Sequence, residues 1–150
     1  MTHQELKEAV KAAMKAKDEV RLLVVRGLLS SCTNELVSKG RKPDEMLEEE
    51  GVMALISRAV KQRKDSIDQF TKGGRMDLVE KEVAELSILE SFLPAQMSEA
   101  EIEVVVKQKI AEMGPIDKQK SGQFMGALMK DLKGKADGTV VKAVVERLLA

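Results

Sequence analysis

Few residues in this chain have the chemistry of an active site. It holds one histidine, His3, and one cysteine, Cys32. A nucleophilic cysteine wants a histidine base. His3 sits in the first turn of a terminal helix, where an exposed side chain is expected. Cys32 falls on the apolar stripe of a second helix, which predicts a buried, inert thiol. Ser30-Ser31 lies mid-helix with no activating pattern around it. No catalytic residue is assigned. With one Cys and one His there is no multi-cysteine or histidine-pair metal site, and neither a metal nor an organic cofactor is expected.

The remaining candidates are cations. Arg63 interrupts an otherwise apolar helical stripe. It either pairs with a glutamate on the facing helix, its stem lying on the core, or binds phosphate in a groove. Arg75 sits at the turn that follows. Between Gly114 and Lys142 the charge segregates, with Lys118, Lys120, Lys130, Lys133, Lys135 and Lys142 against Asp117, Asp131 and Asp137. Lysines around turns and helix ends can contact phosphates. The alternative is a solvated face.

Composition bounds the function. The 150 residues carry 25 basic and 25 acidic side chains, which excludes a strongly basic binder of the histone type but not a local basic face. Tyr and Trp are absent and only Phe70, Phe92 and Phe124 are aromatic, so a stacking platform for single-stranded nucleic acid is not expected. No apolar run reaches the roughly 18 residues a membrane span needs, and the start, MTHQELKEAV, lacks an apolar signal core. A lone cysteine suits a reducing compartment, and the cytoplasm is the expected location.

The elements that position these residues read as helix throughout, rich in Ala, Leu, Met, Glu and Lys. Thr2 and Glu5 form a capping box opening a helix to about Ala16, with Leu6, Val10, Ala13 and Met14 apolar. Asp18 caps a second helix through about Ser38, with Leu22, Val25, Leu29, Cys32 and Leu36 inward and Arg21 and Arg26 flanking. Gly40 to Pro43 is a loop, and Asp44-Glu45 opens an acidic first turn continued by glutamates at 48–50, which suits a helix N-terminus, with Gly51 leaving the start of the long helix open. A long antiparallel hairpin follows. Its first arm carries Val52, Ile56, Val60, Ile67 and Phe70, its second Val79, Val83, Leu86, Leu89 and Leu93. Lys72-Gly73-Gly74-Arg75 reverses the chain, because paired glycines tolerate positive φ. Counting outward from that turn sets Ile67 opposite Val79, Val60 opposite Leu86 and Arg63 opposite Val83, with Glu82 and Glu85 beside it. Leu93-Pro94 breaks the second arm. Three further helices follow: one opened by the Ser98/Glu101 capping box with Ile102, Val106, Ile110 and Met113 inward, one over 121–132, and one over 140–149. The fold class is all-α: an N-terminal helical domain, 1–93, built on the hairpin, and a C-terminal three-helix domain, 94–150.

Several stretches resemble the YqeY family: KQRKDSI at 61–67, KGGR at 72–75 followed by Asp77-Leu78, LESFLPAQ at 89–96, and MGALMK at 125–130 with KGKADG at 133–138. The likeness runs in order along essentially the whole chain. It implies a C-terminal domain similar to the tail of the GatB subunit of tRNA-dependent amidotransferases, a part that helps hold the tRNA. The catalytic domain of those enzymes has no counterpart here, so glutamine-dependent carbon–nitrogen ligase activity attaches to the chain only through the resemblance. Carried over by position, the tRNA-facing candidates are the turn Gly134-Lys135-Ala136-Asp137-Gly138 and the helix from Gly122 to Lys130, with Lys118, Lys120, Lys133 and Lys142 around them. Gln123 stands where the family often has a lysine, which removes one cation from that face.

The expected partners are therefore a tRNA, or an amidotransferase or other protein bound through this module. The alternative is an adaptor without RNA binding, docking a helix on faces that carry Met46, Met53, Met76 and Met97.

Overall fold

A computed structural model describes the chain except residues 118, 133 and 150. The described residues are all-helical, without a strand. In order the helices are α1 (His3–Ala16), α2 (Glu19–Ser38), α3 (Glu49–Lys72), α4 (Met76–Ser91), α5 (Glu99–Met113), α6 (Ser121–Leu132) and α7 (Gly138–Leu149). They fall into two compact units, Met1–Leu93 and Pro94–Ala150, each with its own apolar core.

The helix starts follow from capping chemistry. The Thr2 hydroxyl accepts from the Glu5 amide at 3.1 Å while Glu5 accepts from the Thr2 amide at 2.6 Å, satisfying two donors that the first turn leaves unpaired. Asp18 caps α2 through the Arg21 amide, and Ser98 and Glu101 repeat the box at α5. Gly74, at φ 71°, makes the left-handed reversal between α3 and α4.

The N-terminal core gathers Leu6, Val24, Val25, Leu28, Cys32 and Leu36 from α1 and α2 with Val52, Ile56, Val60, Leu89 and Phe92. Cys32 is fully buried and its thiol is pushed up by that burial. The Arg21 guanidinium lies 5.4 Å from the Phe92 ring centroid, a cation–π distance. The C-terminal core packs Ile102, Val106, Phe124, Leu128, Leu132, Val141, Val144 and Val145 together.

Three features differ from the sequence reading. Asp44 and Glu45 do not open a helix, for α3 begins at Glu49. Residues 41–48 instead form a loop wound on Arg41, whose guanidinium reaches Glu45 at 2.9 Å, Glu48 at 2.6 Å and the Met46 carbonyl at 2.9 Å. Met113 and Val83 are exposed rather than inward. His3 is buried, not exposed. Its Nδ1 accepts the Leu47 amide at 2.9 Å, fastening the loop to α1. Leu47 in turn lies so close to Gly51 that a Cβ there would meet Leu47 Cγ at 2.9 Å, so the glycine lets loop and helix meet.

The His3 contact has a pH consequence. An accepting Nδ1 requires the neutral ring, and burial, with Lys7 nearby, lowers its pKa below the ordinary 6.5. The unfolded chain then binds the proton first as pH falls, so folding stability is complete above the ordinary value and declines below it. Urea midpoints measured across that range should show the loss. His3→Asn, which offers an oxygen in place of Nδ1, should flatten it, and His3→Ala should cost about 1–3 kcal/mol at neutral pH by orphaning the Leu47 amide.

Candidate functional site

Arg63 crosses from α3 to α4. Its Nη1 lies 2.9 Å from both carboxylate oxygens of Glu82, and its Nη2 lies 2.7 Å from Glu85 Oε2. Glu85 is only 2% exposed, and that oxygen takes no well-aligned hydrogen bond, so the contact is an ion pair rather than a directed bond. The sequence reading put Val83 in this inward row, but Val83 is 48% exposed. The helix turns to bring Glu85 in, because Arg63 already occupies the seam. One guanidinium here serves two carboxylates. Arg75 is spent locally, its Nε and Nη2 each 3.2 Å from Asp77, which holds the Asp77 carboxyl below the usual range.

In the C-terminal unit the lysine candidates do not form one group. Lys118 and Lys133 lie outside the described residues. Lys120 precedes α6, whereas Lys130 lies in its last turn. At 1.5 Å per residue these positions are roughly 15 Å apart. Lys130, Lys135 and Lys142 flank the turn between α6 and α7, all exposed and without an ion pair among the described residues. The nearby acids are engaged within the fold. Asp131 holds Lys109 at 3.0 Å, and the Asp137 carboxylate accepts the Thr139 amide at 2.8 Å at the start of α7. Gln123 is exposed on α6 and brings no charge.

Sequence reasoning missed what holds this turn. Gln96 Nε2 donates to the Gly134 carbonyl at 3.2 Å and to the Pro94 carbonyl at 3.1 Å. The Met97 amide donates to the Lys135 carbonyl at 2.8 Å. Thus the LPAQ segment and the KGKADG turn, far apart in sequence, are bonded to each other. Gly134 takes φ 76° within that turn, and Met97 and Ala136 pack on the core beneath it. Met97 and Met53 are therefore packing residues. Of the methionines offered as a docking face, Met46 and Met76 are exposed.

Among the described residues no three His, Cys, Asp or Glu side chains gather to hold a metal ion, and no helix is long and apolar enough to cross a membrane.

A family model described as Yqey-like protein matches residues 3–149. Among the similar proteins, "Altered inheritance of mitochondria protein 41, mitochondrial" of Lachancea thermotolerans is 41% identical over 112 residues, 72% of this chain and 57% of the relative. The protein of the same name in Kluyveromyces lactis is 41% identical over 111 residues, 72% of this chain and 58% of the relative. The Saccharomyces cerevisiae protein is 32% identical over 133 residues, 88% of this chain and 68% of the relative. The aligned stretch thus spans little more than half the length of the first two relatives. The expected cytoplasmic location is overturned by these names, which are those of mitochondrial proteins. A lone buried thiol and balanced charge suit any reducing compartment, so composition could not tell one from another.

The Arg63 cluster generates a stability prediction. Arg63→Ala leaves Glu85 buried without its counter-charge and should lower unfolding free energy by about 1–3 kcal/mol. The pair Arg63→Met with Glu85→Leu, apolar and of similar volume, should recover most of it. Thermal melts of the three proteins check this, and an unchanged Arg63→Ala melt removes the pairing argument.

Proposed function

The chain belongs to the YqeY-like family, and from that premise we propose that it is a non-catalytic module that holds tRNA through the turn between α6 and α7, alone or beside an amidotransferase. What supports this reading is a turn held by Gln96 and Met97, with exposed Lys130 at the end of α6, Lys135 within the turn and Lys142 in the first half of α7, while the neighbouring aspartates are bonded within the fold. Exposed ammonium groups beside a turn suit a phosphate backbone, which fixes register without reading bases. The absence of Tyr and Trp and the scarcity of Phe favour recognition by shape and charge over base stacking.

Lys120 lies at the other end of α6 and is left outside the primary contact. Arg63 and Arg75 are assigned to the fold, since both are bonded to carboxylates. The buried thiol and buried imidazole support a binding role over autonomous chemistry. Carbon–nitrogen ligation, on this reading, belongs to a partner.

The test is tRNA binding by the full chain across a salt series. Three phosphate contacts give a log–log slope of about −2 to −3. The Lys130→Ala, Lys135→Ala, Lys142→Ala variant should lose both affinity and slope. Gln96→Ala alters no charge, so it should weaken binding a few-fold while leaving the slope near its original value. Absence of binding at low salt overturns the RNA reading.

A further inference from the structure

Helix α2 carries apolar residues on its outer side as well as on its core side. Val24, Val25, Leu28, Cys32 and Leu36 are buried, yet on the opposite side Val20, Leu23 and Val37 stand 43%, 57% and 56% exposed. Between the exposed apolar ends lie small residues, Gly27 and Ser30, both exposed. A Cβ built on Gly27 meets nothing within 4 Å.

Two depressions border this face. One, of about 230 Å³, lies between α2 and α4 and is lined by Glu19, Val20, Leu23, Lys81, Ala84 and Glu85. The other, of about 370 Å³, lies between α2 and α3 toward the C-terminal end of α2, where Asn34, Ser38, Arg58 and Gln62 are among its lining residues. At 3.6 residues per turn, the α2 residues of both depressions project on the same flank of the helix. The first carries the Glu19 carboxylate, while Glu85 in its lining is already paired with Arg63. The second carries Arg58, exposed and without an ion pair among the described residues.

We infer that this face pairs with the same face of a second copy of the chain, the two α2 helices running antiparallel about a two-fold axis between Gly27 and Ser30. That register sets Val20 against the second copy's Val37 and Leu23 against its Asn34. Gly27 meets Ser30 where the helices cross, and the small side chains allow close approach. The same operation brings the Glu19 depression of each chain over the Arg58 depression of the other, and Lys81 toward Glu35. The charges therefore match twice over, as an isologous interface requires. The face is about 30 Å long and offers less than the roughly 800 Å² per partner of a standard stable complex. The dimer is accordingly weak and concentration-dependent.

Sedimentation velocity on the full chain, from micromolar to near-millimolar protein, provides the test. The expected result is a reversible monomer–dimer equilibrium that Gly27→Arg abolishes, because the new side chain fills the crossing point. Glu19→Arg and Arg58→Glu should each weaken it at least several-fold, and the two together should restore it by exchanging the signs. Should Gly27→Arg fail to fold, the charge exchange decides alone. A chain monomeric at every concentration overturns the inference. So does a dimer indifferent to Gly27→Arg in a folded variant, or one that the double exchange does not restore.

Discussion

The N-terminal unit depends on one guanidinium. Helices α3 and α4 pack along an apolar seam, and Glu85 enters that seam almost fully buried. Taking a carboxylate out of water costs several kcal/mol unless a counter-charge meets it. Arg63 meets it while also holding Glu82 on the half-exposed side. Apolar stripes alone tolerate rotation of one helix against the other. An ion pair between fixed positions does not, so Arg63 sets which residues of α4 face inward. Val83 is exposed as a result.

Local chemistry was the legible part of this fold. The capping boxes at Thr2 and Ser98, the cap at Asp18 and the reversal at Gly73-Gly74 depend on residues a few positions apart, and each stands where the sequence placed it. The all-helical class follows from the same signals. What sequence could not supply were contacts across long separations. His3 is buried because Leu47 needs an acceptor, and nothing near His3 announces Leu47. Arg41 winds a loop around itself where acidic residues resembled a helix start. Gln96 and Gly134 meet across 38 positions. Glu85 was harder still, since hydropathy favours Val83 at the inward position and only the placement of Arg63 reverses the preference.

The candidate site was legible as residues but not as a group. Six lysines against three aspartates suggested a basic face, yet net charge counts every ion equally. The fold does not. Asp131 is paired with Lys109 and Asp137 accepts the Thr139 amide, so neither is bonded to Lys130, Lys135 or Lys142 by these contacts. Lys120 shares their sign but not their place. Arg63 and Arg75, the residues whose type best suits phosphate, are held by carboxylates. Position along the folded chain, not residue type, separates binding candidates from structural ones.

The two proposals assign surfaces of opposite physics to the chain. A lysine turn that holds RNA acts through charge and weakens with salt. An α2 face that pairs two chains acts through apolar contact with a few matched charges, and salt touches it less. Three lysines alone give modest affinity for an RNA backbone. A chain paired through α2 carries two such turns, and linked weak contacts gain affinity far beyond either one when a single ligand spans both. RNA affinity should then rise with protein concentration along the same curve as dimerisation, and Gly27→Arg should reduce it without removing a lysine. Affinity that tracks the lysines alone assigns RNA binding to the single chain.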